Sequence, residues 1–259
     1  MNSAIPKISI ITPSYNQGQY IEQNIKSVLN QNYPNVEHIV IDGGSSDCTV
    51  EILKKFPHLI WVSEKDDGQA DALNKGLKLA TGDLVGWINS DDYYQENIFE
   101  SVASNFSDGP VDWVIGNITY RLESKGIEIP DVSRPVSYRS LLRNPDIVRQ
   151  QSTFFRRSTL EEVGAWNSAF HMVMDLDLWL RMAKISSPRM IHSNWSFFRV
   201  HEAQKTVVKN LIPQMREIEY LFQRENYTSP TRYMVYIKKY LTILRSSLKS
   251  IIVGTRTGK

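Results

Sequence analysis

The sequence predicts an α/β protein of three layers, in which helices cover both faces of a mainly parallel β-sheet. The first observation is that short apolar, β-branched runs alternate with segments of helical periodicity through the first 92 residues. The second is that each apolar run is followed within four residues by Pro, Asn or Asp, which disfavour strands. Because strands that alternate with helices are joined by crossovers, we expect them to lie parallel in one sheet.

The first 92 residues hold four predicted strands and three predicted helices. The strands cover residues 8–12, 39–41, 59–62 and 84–88. The helices cover residues 21–29, 50–53 and 70–80.

For the residues after 92, the sequence pattern predicts a less regular order of helices and strands. The predicted elements there are a helix over 97–106, a strand over 113–120, a hairpin and loop over 123–137, a strand over 150–156, a short helix ending at Gly164, a helix over 176–184 and a strand-like run over 195–200.

The composition and the net charge exclude several classes of protein. The chain has 259 residues, of which 41% are hydrophobic and 22% charged, as in a globular protein. The net charge of +2 argues against a general nucleic-acid binder. A single cysteine, Cys48, excludes an intrachain disulfide and fits a cytoplasmic location. We expect no secretion signal and no membrane-spanning run.

Polar residues follow each of the four predicted strands. They are residues 13–16, Asp42, residues 66–69 and the pair Asp91 and Asp92. The carboxyl ends of parallel strands form the edge at which α/β sheets bind ligands. We therefore expect these residues to line one crevice.

The adjacent carboxylates Asp91 and Asp92 suggest a metal site. Neighbouring carboxylates repel each other unless a cation lies beside them. Oxygen ligands suit Mg²⁺ or Mn²⁺, with substrate phosphates completing the shell. The alternative is that the pair only begins a helix. The glycine-rich fingerprints of dinucleotide-binding folds and P-loops are absent, so a metal is the expected means of holding phosphates.

Four segments, residues 10–16, 41–49, 67–76 and 90–92, occur in order and with the spacing of a known family. On these segments, residues 7–92 resemble the nucleotide-binding half of a family 2 glycosyltransferase with the GT-A fold. The resemblance implies that Pro13 and Tyr15 pack on the nucleobase and that Asp42 accepts a hydrogen bond from its imide N–H. An imide suggests uracil, with guanine and thymine as alternatives. Tyr15 would otherwise be a plain surface aromatic.

The resemblance also assigns the rest of the nucleotide site. Asp67 and Gln69 would close over the nucleotide, and Asn74 would belong to the same site unless it only occupies a helix face. Asp91 would lie near the ribose and the metal, and Asp92 would be a direct metal ligand.

A second matching segment, residues 171–181, resembles the family's Glu-Asp-x-Asp-Leu-Trp-Leu-Arg sequence. Asp175 aligns with the catalytic base, and Met174 replaces the preceding Glu. The alternative for Asp175 is a helix cap. Asp177 and Arg181 are four residues apart, so we expect a structural ion pair.

Related enzymes often carry a metal-binding His near the position of His201. Imidazole suits Mn²⁺ better than Mg²⁺. The alternative is a capping or solvent-exposed His.

These residues predict an inverting, metal-dependent glycosyltransferase. The metal would neutralise a nucleoside diphosphate leaving group, so the chemistry needs one base, which deprotonates the acceptor hydroxyl. We expect a nucleotide-sugar donor, with UDP favoured, and a saccharide or lipid-linked saccharide acceptor. The alternatives are a catalytically silent nucleotide-sugar-binding subunit and a sugar nucleotidyltransferase, although the loop after the first strand lacks the basic residues that the latter needs.

The predicted domain division places a catalytic domain at 1–205 and a helical extension at 206–259. Within the catalytic domain, 1–95 would bind the nucleotide and 96–205 the acceptor. From Arg232 onward the charged residues are all basic and alternate with apolar ones, which predicts a basic amphipathic helix. That helix would lie on an anionic membrane surface, or pack on the catalytic domain or a second subunit.

Overall fold

The structure is a computed structural model that describes residues 5–201 and 210–230, together with 234, 236, 237 and 241. The helices are α1 (Ile21–Leu29), α2 (Thr49–Leu53), α3 (Gln69–Leu79), α4 (Phe99–Ser107), α5 (Tyr138–Arg143), α6 (Arg157–Glu162), α7 (Met174–Ile185) and α8 (Leu211–Arg224). The strands are β1 (Ile8–Ser14), β2 (Val36–Asp42), β3 (Ile60–Ser63), β4 (Leu84–Trp87), β5 (Tyr93–Tyr94), β6 (Trp113–Leu122), β7 (Ile127–Asp131), β8 (Thr153–Arg156) and β9 (Arg189–Val200).

In the described part of the chain, all nine strands join one sheet. Its order is β3-β2-β1-β4-β8-β6-β9-β5, with β7 paired to β6. Strands β1 to β4 are parallel to one another, as the alternating pattern predicts. Strand β8 then runs antiparallel to both β4 and β6, and β9 returns parallel to β6. The predicted α/β fold is confirmed, with its antiparallel pairs in the second half.

Helices cover both faces because side chains alternate along each strand. Ile11 on β1 faces a cluster that includes residues of α3, α7 and α8. Ile8 and Ile10 point the other way, into a cluster with α4. On that second side Val40 of β2 packs against α1 and α2. These clusters make the three predicted layers.

Helix α3 approaches β1 so closely that only glycine fits at one position. A Cβ added to Gly76 would lie 2.4 Å from Cγ2 of Ile11, well inside van der Waals contact. This close packing places the amino-terminal end of α3 beside the carboxyl end of β1, where the polar strand ends meet.

The predicted strand over 150–156 is wrong in its first part. Residues Gln150–Ser152 form a 3₁₀ turn, and β8 begins at Thr153. The reason is that β4 pairs with β8 only between Leu84 and Gly86, so the residues before Thr153 have no ladder partner there. The side chains of Gln150 and Gln151 line one of the cavities described below.

Helix α8 belongs to the predicted extension yet packs on the main core. Ile218, Leu221 and Phe222 are fully buried in the same cluster as Trp179 of α7. The predicted basic helix from residue 232 onward lies almost entirely outside the described residues. Among the residues that the structure describes, no helix combines the length and the hydropathy needed to cross a bilayer.

Candidate active site

A cavity of about 360 Å³ opens at the carboxyl ends of β1 and β4. The loop after β1, the segment before α3 and the segment after β4 all contribute to it. These contributions are Pro13, Ser14 and Tyr15 from the first, Asp66, Gly68 and Gln69 from the second, and Asn89, Ser90 and Asp91 from the third. The structure thus brings together the ends of three predicted strands. We call this space the first cavity.

Pro13 and Tyr15 lie on one side of the first cavity, as a base-packing loop would. Pro13 is buried at the end of β1, whereas the Tyr15 side chain is 62% exposed. An aromatic ring held at a cavity mouth is available for stacking.

Asp42 is fully buried beside this cavity and does not line it. Its carboxylate accepts hydrogen bonds from Ser45 N at 2.9 Å, Ser45 Oγ at 2.5 Å and Ser63 Oγ at 2.6 Å. An ionised carboxylate offers about four lone-pair sites, so three of them are occupied here. The structure therefore leaves Asp42 with little remaining acceptor capacity.

Asp66 lines the first cavity where the sequence analysis named Asp67. Asp66 accepts a hydrogen bond from the N–H of Gly68 at 2.9 Å. Burial raises the pKa of Asp66, and the nearby charges of Asp71 and Asp42 add to that rise. Asp67 instead turns its backbone N–H toward Asp71, at 3.2 Å. Both acids follow the same predicted strand and were expected in the crevice, but the resemblance assigned a nucleotide-binding role to Asp67 alone.

Asn74 and Gln69, both on α3, have different surroundings. Asn74 Nδ2 donates to the carbonyl of Trp166 at 2.7 Å, and its Oδ1 accepts from the N–H of Trp166 at 3.2 Å. Those paired bonds tie α3 to the segment after α6, which matches the structural alternative for Asn74. Gln69 faces the first cavity as predicted.

Asp91 and His201 are in contact at the edge of the first cavity. His201 Nε2 lies 3.0 Å from Oδ2 of Asp91, and the imidazole packs against the ring of Tyr20 with centroids 4.6 Å apart. His201 lies there because it directly follows β9, which pairs with β5, the strand that directly follows Asp91 and Asp92. This contact joins two of the three predicted metal ligands.

Asp92 is buried, with 1% of its surface exposed. Its Oδ1 accepts from the N–H of Arg199 at 2.9 Å, whereas Oδ2 has no hydrogen-bond partner among the described residues. Burial raises the pKa of Asp92 well above its ordinary value, and the Asp91 charge raises it further. An orphaned carboxylate oxygen beside a like charge is an environment that a cation would stabilise.

The ligand types of Asp91, Asp92 and His201 suit a divalent cation. In the parts of the chain that the structure describes, no three His, Cys, Asp or Glu side chains already converge as a closed ligand set. However, Asp91 lines the first cavity, His201 contacts Asp91, and the adjacent Asp92 has a carboxylate oxygen without a hydrogen-bond partner among the described residues. Sites of this kind leave positions for substrate phosphate oxygens.

A second cavity of about 270 Å³ adjoins the first. Asp175 lines it, together with polar side chains from the segments before β8 and α7 and from α8, namely Arg149, Gln150, His171 and Gln214. Gln69 and Asn89 line both cavities. The two spaces therefore meet at these two amides.

Three amide side chains link the cavities, and we call them the amide chain: Gln69, Asn89 and Gln150. Gln69 Nε2 donates to Asn89 Oδ1 at 2.7 Å, and Asn89 Nδ2 donates to Gln150 Oε1 at 3.3 Å. Asn89 Oδ1 also accepts from the indole N–H of Trp87 at 3.0 Å. The sequence itself indicates no such role for Asn89, since Gln69 and Gln150 are 20 and 61 residues away in the chain.

Asp175 stands in the first turn of α7 and is half-buried. Val173 occupies the cap position of this helix, so Asp175 is not its N-cap. A carboxylate in the first turn is stabilised by the helix dipole. Met174, at the position of the family's Glu, is buried in the core.

The predicted ion pair of Asp177 and Arg181 is present. Arg181 Nη2 lies 2.7 Å from Oδ2 of Asp177, which is fully buried. Arg224 of α8 binds the other oxygen at 2.5 Å. This network fixes the helix that carries Asp175.

Comparison with solved structures confirms the fold. A crystal structure of Staphylococcus aureus TarS 1–349 in complex with UDP-GlcNAc superposes with a TM-score of 0.65 at 19% identity, over 82% of this chain and 65% of that one. The mannosyltransferase PcManGT from Pyrobaculum calidifontis, in complex with GDP-Man and Mn²⁺, gives a TM-score of 0.63 at 20% identity. That match covers 98% of this chain and 76% of the other.

Sequence comparison identifies the family. An uncharacterised glycosyltransferase of Mycobacterium tuberculosis strain H37Rv is 34% identical over 193 residues, which cover 73% of this chain and 72% of the relative. Another from Rickettsia typhi is 28% identical over 230 residues, or 85% and 72% of the two chains. Residues 9–164, more than half of the chain, match the profile described as glycosyl transferase family 2. The chain therefore belongs to glycosyl transferase family 2, has the GT-A fold and is a glycosyltransferase.

Proposed function

We propose that this protein transfers a sugar from a nucleoside diphosphate donor to an acceptor hydroxyl, with inversion at the anomeric carbon and with a divalent cation. The observation that carries the proposal is the pair of cavities that meet at Gln69 and Asn89. The acid pair lies on one side of that junction, and Asp175 lies on the other. A donor in the first cavity would present its sugar to an acceptor in the second.

The charge of the first cavity supports the need for a cation. Among the described residues, its lining includes the carboxylates of Asp66 and Asp91 and no Lys or Arg. A diphosphate brought beside those acids would be repelled. Asp91, Asp92 and His201 would hold a Mn²⁺ or Mg²⁺ ion, and their imidazole favours Mn²⁺. When bound, the cation neutralises the charge that develops on the departing diphosphate.

The acceptor side requires one base, and Asp175 has the position for it. Its carboxylate would accept the proton of the acceptor hydroxyl as the oxygen attacks the anomeric carbon. Since this base and the diphosphate lie on opposite sides of the sugar, attack occurs from the face opposite the leaving group. The configuration then inverts, as in hydrolysis by a base-activated water.

Donor recognition would come from the opposite end of the first cavity. Tyr15 would stack on the base, an interaction that contributes about 1–3 kcal/mol per base in nucleic-acid complexes. Asp42 was expected to accept the imide N–H of the base, but its carboxylate is fully buried and does not line the first cavity, so we assign it the role of holding Ser45 and Ser63 beside that cavity. The UDP-GlcNAc and GDP-Man complexes of the two structural neighbours support a nucleotide-sugar donor of this type.

We further propose a saccharide acceptor, with a lipid-linked saccharide as the form that explains the basic C-terminal segment. That segment would hold the protein on an anionic membrane surface at the cytoplasmic face. Truncation after Thr228 removes it and retains α8. The truncated protein should no longer sediment with anionic vesicles, and equal sedimentation of both forms would contradict the membrane role.

A donor screen tests the proposed function. Purified protein is incubated with Mn²⁺ and each common UDP-, GDP- and TDP-sugar, with and without simple and lipid-linked saccharide acceptors, and released nucleoside diphosphate is measured. We expect acceptor-dependent release with one donor, loss of release in Asp175→Asn, and donor affinity in that variant within a few-fold of wild type by calorimetry. Donor binding without release under all conditions would instead indicate a silent binding subunit.

A further inference from the structure

Glu217 on helix α8 holds the loop in front of α7. Its Oε1 accepts a hydrogen bond from the backbone N–H of His171 at 3.1 Å. Its Oε2 accepts two more, from Met172 N at 2.8 Å and Val173 N at 3.1 Å. Hydrogen bonds to an ionised acceptor are about twice as strong as neutral ones. Three successive N–H groups therefore converge on one carboxylate, two residues before Asp175.

A second contact from the same helix fixes the chain beyond Asp175. Arg224 binds the buried carboxylate of Asp177 at 2.5 Å. Glu217 and Arg224 are seven residues apart, so they share one face of α8. Asp175 consequently lies between two points of the chain that are both anchored to α8.

Helix α8 is itself firmly attached, which makes it a suitable support. Ile218, Leu221 and Phe222 are fully buried in the main core. Next to its carboxyl end, Glu225 pairs with Lys184 at 2.5 Å and accepts from the hydroxyl of Tyr138 at 2.7 Å. The amino-terminal half of α8 also reaches the second cavity, which Gln214 lines.

We propose that Glu217 is a positioning residue, which holds residues 171–173 so that the Asp175 carboxylate faces the second cavity. This inference rests on the proposed function, in which Asp175 is the base. Glu217 is not among the described residues that line either cavity, so it acts through the backbone of the loop. Misplacing a reacting group by about 1 Å can cost on the order of 100-fold in rate. The effect should therefore appear in kcat and leave the donor KM unchanged.

The test compares Glu217→Gln with Glu225→Gln. Glutamine keeps the size of the side chain but offers one acceptor oxygen in place of two and carries no charge. Glu225→Gln loosens the carboxyl end of α8, including the Arg224 side chain with which Glu225 pairs at 2.8 Å, without touching the loop. It therefore serves as the control for α8 docking and for the Arg224 contact with Asp177. In Glu217→Gln we expect a roughly 10- to 100-fold lower kcat, a donor KM within about twofold of wild type, and faster hydrogen exchange at the amides of residues 171–173. In the control we expect unchanged exchange in that loop and a kcat close to wild type.

Equal kcat losses in the two variants would overturn the inference, because α8 docking alone would then explain both. A parallel rise in donor KM would overturn it as well. If Glu217→Gln does not fold, hydrogen exchange in the wild-type protein still tests the inference. Rapid exchange of the amides of residues 171–173 would show that Glu217 does not hold the loop. If the wild type transfers no sugar from any donor, the proposed function fails, whereas the exchange comparison still shows whether Glu217 holds the loop.

Discussion

Asn89 connects the two cavities, and replacing it with alanine has a consequence that the structure allows us to estimate. Asn89 Oδ1 is the acceptor for the indole N–H of Trp87, whose side chain is only 2% exposed. In Asn89→Ala that N–H loses its protein acceptor, which costs about 1–3 kcal/mol if the group stays dry and less if water from the second cavity, which Trp87 also lines, reaches it. Gln69 and Gln150 are less affected, since both face a cavity and can bond to water. We expect a loss of up to about 3 kcal/mol in the free energy of unfolding.

A double-mutant cycle with Trp87→Phe isolates the contribution of the hydrogen bond between the Trp87 indole N–H and Asn89. Phenylalanine has no indole N–H, so Asn89→Ala should cost about 1 kcal/mol less when Trp87→Phe is already present than in the wild type. The assay is urea unfolding of the four proteins, compared by their midpoints at constant m-value. Equal costs in both backgrounds would refute the reasoning, because they would show that the indole bond does not contribute to stability.

Two further predictions concern the fold. Burial lowers the pKa of His38 to about 3, whereas a His in the unfolded chain titrates near 6.5. Between these two pH values the unfolded state binds more protons than the folded state. The free energy of unfolding should therefore fall by up to roughly 5 kcal/mol as the pH drops from about 6.5 to 3, and above about pH 6.5 it should not depend on His38. Urea midpoints of the wild type and His38→Gln across pH 4–8 check this, and parallel profiles would contradict it. Gly76→Ala should lower the free energy of unfolding by about 1–3 kcal/mol through overpacking against Ile11, partly offset by about 1 kcal/mol of helix propensity. The urea midpoint should therefore fall, and a higher midpoint would show that α3 can move away from β1.

The sequence predicted the first half of the fold well because its signals are local. The short apolar runs at β1 and β4 and the helical spacing in α3 are each visible within about ten residues. Their parallel arrangement follows from the alternation of strands and helices. Strand β5 was missed because two residues, Tyr93 and Tyr94, carry no periodicity of their own, and their pairing with β9 is a long-range contact.

The site could be predicted only in part, for a related reason. The polar strand ends predicted a crevice at the carboxyl edge of the sheet, and the structure has cavities lined by Asp91 and by Asp175. Whether Asp66 or Asp67 faces the cavity depends on how one loop turns before α3, which the residue types do not determine. The contact of Glu217 with the loop at 171–173 joins segments more than 40 residues apart. No pattern near Glu217 distinguishes it from a solvated helix residue.

Nucleotide binding with and without a metal tests the central claim, that a cation at the acid pair holds the donor diphosphate in a cavity whose described lining has no basic side chain. UDP and GDP are titrated into the wild type and into Asp92→Asn by calorimetry, in Mn²⁺ or in EDTA. The variant keeps an oxygen for the N–H of Arg199 and removes the charge. We predict that Mn²⁺ strengthens binding of the preferred nucleotide at least about tenfold in the wild type, equivalent to about 1.4 kcal/mol, and has little effect in the variant. Equal affinities in Mn²⁺ and EDTA for the wild type would contradict the claim.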